Sequence, residues 1–87
     1  MAPFLYIQPG LLLDTARIVA VMPSRSEPVK RFIRVTSPGR VLNLQHGYSR
    51  RSVILLENGQ LVYSSLRVEQ LRDVLATLME VIDVQPD

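Results

Sequence analysis

Cysteine does not occur in these 87 residues, which excludes disulfides, thiolate nucleophiles and cysteine-ligated zinc in one step. Tryptophan is also missing, and histidine occurs once, as His46. His46 falls in an expected turn over residues 46–49 with no carboxylate or nucleophile at a spacing that would orient it. It therefore reads as a solvated or hydrogen-bonded turn residue rather than a general base. Gly10, Gly39, Gly47 and Gly59 are isolated turn glycines, so no glycine-rich loop cradles a phosphate. Glu69, Asp73 and Glu80 beside Arg72 have the spacing of a solvated helix face, and Asp14 is a turn residue. The expectation is a non-enzymatic protein with no catalytic residue, cofactor, metal or small-molecule substrate.

Long uninterrupted apolar runs are lacking as well. The first twenty residues are apolar but have no basic start and are broken by Pro9, Gly10, Asp14 and Arg17, so they read as neither signal peptide nor membrane span. The cytoplasm is then the default compartment, and no membrane partner is expected. A chain of this length forms one domain, here 1–87 with residues 84–87 as a frayed tail, and buries only about 60% of its unfolded surface. Its hydrophobic content of 47% is ample for a core and leaves apolar surface over, which favours self-association.

Charge is scarce in one sign over half the chain. Between Thr15 and Leu56, eight basic residues (Arg17, Arg25, Lys30, Arg31, Arg34, Arg40, Arg50, Arg51) face one acid, Glu27, for a local charge of +7. The remainder is acidic, so the formal net charge of +2 conceals a polarised molecule. Arginine outnumbers lysine nine to one, and its planar fork binds phosphate bidentately and enters narrow minor grooves, whereas solubility alone is served equally by lysine. The block thus points to polyanions. Arg50 and Arg51, just after Gly47-Tyr48-Ser49, are the foremost candidates. If they begin a strand they point to opposite faces, and sequence alone does not choose which meets a ligand. Tyr48 is placed to stack on a base or, more simply, to pack on its own sheet.

Periodicity organises the rest. Residues 4–7 read as a strand closed by Gln8-Pro9-Gly10. Residues 11–22 divide at Asp14-Thr15, with residues 18–21 as a fully buried strand and Arg17 at its mouth. Ser26 before Glu27-Pro28 starts a helix that ends by Ser37-Pro38-Gly39. Val29, Phe32 and Ile33 fall on one side of it and Lys30, Arg31 and Arg34 on the other. Residues 41–44 alternate like a strand. Asn58-Gly59, between residues 53–56 and 61–63, predicts a hairpin with a type I′ turn, and two hairpins in succession imply an antiparallel meander. Residues 67–82 carry a helical stripe of Val68, Leu71, Val74, Leu75, Leu78 and Ile82, widened by Met79 and Val81 as if for a second contact surface. The expected class is α+β: a small antiparallel sheet of four to five strands with two helices, assembling into a homo-oligomer.

Arg17-Ile18-Val19-Ala20-Val21, Ser26, Pro28-Val29-Lys30-Arg31 with Ile33, and Tyr48-Ser49-Arg50-Arg51-Ser52 running into an apolar strand form an ordered set. Tyr63-Ser64-Ser65 and Glu80-Val81-Ile82-Asp83 extend it. Over about residues 4 to 83 the chain resembles the RemA family, small bacterial regulators of extracellular-matrix genes. The resemblance implies a DNA-binding transcriptional regulator of small α+β fold, assembled as a closed ring similar to LytTR-type DNA-binding domains and acting at the nucleoid. It places DNA-contacting arginines at Arg17, Arg50 and Arg51, with the Lys30, Arg31 and Arg34 face in support. Ser49 stands where the family usually has glycine before the arginine pair. The implied partners are double-stranded DNA and further copies of the chain. The alternative from the residues is an oligomeric scaffold in which the arginines pair with Glu69, Asp73 or Glu80 of a neighbouring copy. RNA binding fits less well, because no aromatic platform interleaves with the basic residues.

Overall fold

A computed structural model describes residues 3–8, 11–43 and 49–84. The expected turns at Pro9-Gly10 and around His46 and Tyr48, and the strand position of Leu44, lie outside the described residues. Among those described are six short strands and two α-helices: β1 (Phe4–Gln8), β2 (Leu11–Asp14), β3 (Ile18–Pro23), α1 (Glu27–Val35), β4 (Val41–Leu42), β5 (Ser52–Leu56), β6 (Leu61–Ser64) and α2 (Val68–Leu78). Short 3-10 turns at Thr15–Arg17 and Pro38–Arg40 precede β3 and β4.

The class is α+β, as expected, but the strands form two sheets rather than one antiparallel meander. β1 and β2 make a separate antiparallel hairpin, and the other four strands form a sheet of order β3-β5-β6-β4. β4 pairs with β6 and runs parallel to it. The reason is topological. β5 is flanked on one side by β3 and on the other by β6, so β4 cannot pair with β5 and takes the free edge of β6, at the far side from β3.

β5 and β6 are central strands and carry the core on both faces, which explains the near-continuous apolar run of β5. Ile54 and Val62 point to one side, where they meet Leu5, Ile7 and Leu13 of the hairpin and Leu71 of α2. Val53 and Leu61 point to the other, against Val29 of α1 with Met22, Ile33 and Val41 around them. The sheet is thereby sandwiched between α1 and a second layer made of the hairpin and α2. Ile54, Leu61 and Leu71 are completely buried, and truncating any one of them to alanine costs about 2–5 kcal/mol in cores of this kind.

β3, expected to be fully buried, is instead an edge strand and only half covered. Ile18 pairs with Leu56 and Ala20 with Leu55, so Val19 is an extra residue, a bulge that turns its side chain outward with 61% exposed. Bulges of this kind blunt edges that would otherwise recruit other strands.

The β5–β6 hairpin forms at Asn58-Gly59 but not through a two-residue turn. Gly59 N–H donates to the Leu56 carbonyl at 2.9 Å, Leu56 N–H donates to the Gln60 carbonyl at 2.9 Å, and positive φ among the described residues occurs at Gly59 alone, at 86°. This is a three-residue loop, a type I turn closed by a left-handed glycine. Asn58 keeps negative φ because its side-chain Oδ1 accepts from Gln60 N–H at 3.0 Å, an Asx arrangement that supplies the turn bond from the side chain.

α1 starts after Ser26 and stops at Thr36, as its boundary residues imply, although Ser26 makes no side-chain cap bond. α2 ends at Leu78, four residues before the expected end at 82. Beyond the stop the chain meets Arg72, whose Nε and Nη2 donate to the two carboxylate oxygens of Asp83, at 3.2 and 2.5 Å. In a continued helix Asp83 would lie about 16 Å further along the axis, so this bond requires the chain to leave the helix and turn back. Asp83, just before the expected frayed tail, is held.

Candidate nucleic-acid interface

Arg17 is positioned by four hydrogen bonds on its own and neighbouring residues. Asp14 Oδ1 accepts from Ala16 N–H at 3.0 Å and caps the 3-10 turn, which gives this lone N-terminal acid a structural role. Buried Thr15 is anchored to the Pro3 carbonyl by its hydroxyl at 2.7 Å and its N–H at 3.1 Å. The Arg17 carbonyl accepts from Glu57 N–H at 2.9 Å, which ties it to the β5–β6 turn. Its side chain is exposed at the mouth of β3.

Arg50 and Arg51 sit at the opposite end of β5. Ser24, in the β3–α1 turn, donates its hydroxyl to the Arg50 carbonyl at 2.7 Å and its N–H to the Arg51 carbonyl at 3.2 Å. Arg51 N–H donates to the Ser64 carbonyl at 2.9 Å. Neighbours on both sides therefore hold the backbone of the pair. The side chains diverge. The Arg50 guanidinium lies 5.2 Å from the centroid of the Tyr63 ring, a cation–π contact on the α1 side of the sheet. Arg51 lines a cleft of about 550 Å³ with Pro23, Arg25, Arg67, Val68 and Glu69, at the start of α2. Arg17 is separated from this pair by the length of β5, about 20 Å at the rise of a strand.

On α1, Arg31 and Arg34 are exposed and unpaired among the described residues, whereas Lys30 Nζ lies 3.4 Å from Glu27 Oε1. Arg40 serves the fold: its Nη1 donates to the Asn58 carbonyl at 2.8 Å and braces the β5–β6 turn. The candidates therefore do not form one patch on the chain. They divide into Arg17 at one end of the sheet, Arg50 and Arg51 at the other, and the α1 face.

Sequence reasoning did not single out Ser24, Tyr63, Arg25 or Arg67. The alternation of β6 carries a signal for Tyr63, since it sits cross-strand from Val53 and so beside the chain that leads back to Arg50. Tyr48, the aromatic placed to stack on a base or pack on its sheet, lies outside the described residues. No group of side chains able to hold a metal ion is found among the described residues. None of their helices is long and apolar enough to cross a membrane.

The profile of RemA-like proteins, described as extracellular matrix regulatory protein A-like, matches residues 4–75. That span runs from β1 into α2 and takes in every arginine considered above. The chain belongs to the RemA-like family. Similar proteins carry the name "Putative regulatory protein". One from Geobacillus kaustophilus is 30% identical over 70 residues, covering 79% of this chain and 80% of its own. Another from Clostridium botulinum is 28% identical over 75 residues, 85% of this chain and 84% of its own. A third from Dictyoglomus thermophilum is 31% identical over 61 residues, 69% and 72%. The RemA-like family is one of bacterial regulatory proteins, not of enzymes.

Proposed function

We propose that this RemA-like protein is a DNA-binding transcriptional regulator that acts as a homo-oligomeric ring, contacting the DNA backbone through repeated arginines. Arg17, Arg50 and Arg51 are the principal contacts, and Arg31 and Arg34, with Lys30 less exposed to the ligand because of Glu27, lend support. The observation that carries the reading is the state of the arginine pair. Its backbone is clamped by Ser24 and Ser64, yet among the described residues no carboxylate pairs with either guanidinium. An unneutralised cation on a fixed backbone suits an external anion, because only the side chain remains to be ordered on binding.

Assembly is supported by apolar surface left without cover. The hairpin turns Leu5, Ile7 and Leu13 inward, but its outer face shows Phe4, Tyr6 and Leu12, each more than half exposed. Leu78, Met79, Val81 and Ile82 add a second exposed apolar stretch. In a ring, the arginines recur from copy to copy, and individually weak phosphate contacts sum through effective concentration. Bending duplex around such a surface favours deformable sequence over base readout.

Duplex binding followed by fluorescence anisotropy across a salt series, with light scattering on the same samples, tests this. Wild-type protein is expected to show a log K against log salt slope of about −0.9 per phosphate neutralised. The Arg50→Ala/Arg51→Ala protein is expected to lose most of that binding while staying assembled. Salt-insensitive or absent binding by wild type overturns the reading. The acidic residues of α2 favour one other reading, a scaffold in which the arginines bridge subunits: the double substitution would then dissociate the oligomer.

A further inference from the structure

The cleft beside Arg51 is lined by three arginines that come from distant parts of the chain: Arg25 from the β3–α1 turn, Arg51 from the start of β5 and Arg67 from the N-terminus of α2. All three are exposed, and among the described residues none of their guanidiniums takes part in an ion pair or hydrogen bond. Convergence of three like charges is unfavourable unless an anion joins them. Arg67 adds to the imbalance, since it occupies the N-cap of α2, where the helix end already carries partial positive charge. Gln70 Oε1 accepts from Arg67 N–H at 2.8 Å, but a guanidinium has no acceptor and cannot return the bond to the free first-turn amides. Glu69 is the one acid on the lining.

Resting on the DNA-binding reading, we infer that this cleft is a phosphodiester clamp for the duplex backbone, with Arg25 and Arg67 acting beside Arg51. The turn after β3 and the first turn of α2 then face DNA, although Arg67 belongs to the acidic third of the chain. Ser24 has a part in this geometry, because it ties the turn carrying Arg25 to the backbone carrying Arg51. Three forks and a helix N-terminus around one volume match the two charged non-bridging oxygens of a monoanionic phosphodiester. Glu69 weakens the field and limits affinity.

The test is duplex binding by wild type and by Arg25→Ala, Arg67→Ala, Arg51→Ala, Glu69→Gln and Arg31→Ala variants, measured across salt concentrations with oligomeric state and melting temperature recorded. Arg25→Ala and Arg67→Ala are each expected to make the log K against log salt slope less steep by about 0.9 for every cleft engaged, equally on unrelated duplex sequences. Glu69→Gln, which removes the opposing charge without touching an arginine, is expected to tighten binding roughly two- to five-fold. Unchanged slopes for both Arg25→Ala and Arg67→Ala, with a reduced slope for Arg51→Ala, overturn the clamp and leave the DNA-binding reading standing. Absence of duplex binding by wild type overturns both. A parallel calorimetric titration with adenosine monophosphate separates the sources of phosphate. Saturable binding lost in Arg25→Ala, with duplex binding unaltered, reassigns the cleft to a small nucleotide and also overturns the clamp.

Discussion

Arg72 and Asp83 form a bidentate pair that folds the segment after α2 back along the helix, with Nε–Oδ1 at 3.2 Å and Nη2–Oδ2 at 2.5 Å. Both side chains are about half exposed, so the bond contributes at most about 1 kcal/mol to global stability. Its consequence is local. Asp83→Asn is expected to raise amide exchange over residues 79–84 well above that of α2 itself while shifting the melting temperature little. Equal protection in the two proteins would show that the apolar side chains there hold the segment without the pair.

Gly59 combines φ of 86° with a close neighbour, since a Cβ at this position would stand 3.0 Å from Arg40 Nη1. Gly59→Ala therefore strains the turn and displaces its brace. A loss of about 1–2 kcal/mol in denaturant unfolding is expected, and Arg40→Ala, which leaves the glycine conformation intact, should cost less.

Ser52 and Ser64 are cross-strand partners, both fully buried, but their hydroxyls differ. Ser64 Oγ accepts from Leu66 N–H at 3.1 Å, whereas Ser52 Oγ has no hydrogen-bond partner among the described residues. Ser52→Ala removes a buried polar atom that returns nothing and is expected to be neutral or stabilising by about 1 kcal/mol, while Ser64→Ala leaves an amide unpaired and costs about 1–3 kcal/mol. Urea titrations of the two single variants give the comparison directly.

Tyr63 positions Arg50 through its ring face. Tyr63→Leu keeps an apolar side chain packed towards Val53 and Leu61 but removes the π surface, so about 0.5–1 kcal/mol of orientation is lost from an exposed guanidinium. DNA affinity is expected to fall a few-fold in Tyr63→Leu, and to be unaffected by the same substitution in an Arg50→Ala background. An additive loss in the double variant would place Tyr63 outside the action of Arg50.

Much of the local structure was legible in the residues themselves. Ser26, Pro28 and Ser37-Pro38 bracket α1, and the apolar runs around Asn58-Gly59 announce the β5–β6 hairpin. The division of residues 11–22 at Asp14-Thr15 follows from the cap that Asp14 provides. The turn type at Gly59 was not legible, because whether Asn58 adopts positive φ depends on its side-chain bond to Gln60. Nor was the early end of α2, since the apolar stripe continues at helical spacing through Ile82 although the helix stops at Leu78. In the candidate site, Arg50 and Arg51 stood out as a pair, but Arg25 counted only as one of eight basic residues in the central block, and Arg67 fell in the acidic remainder.

Composition and order by themselves determined that this chain has no thiol or histidine-centred constellation for chemistry, that nine of its ten cations are arginines, most of them in its first two thirds, and that its apolar content is ample for a small core. Local spacing determined most strand and helix positions, because the periods of two and 3.6 residues are properties of the backbone. The tertiary structure decided direction and company. The sheet order sent β4 to the far edge, parted Arg17 from the arginine pair by the length of β5, and turned Arg50 towards Tyr63 and Arg51 towards Arg25 and Arg67. Those relationships join residues far apart in the chain, and no local period encodes them. They arise only when crossover connections and two opposed core layers bring the segments to one end of the sheet.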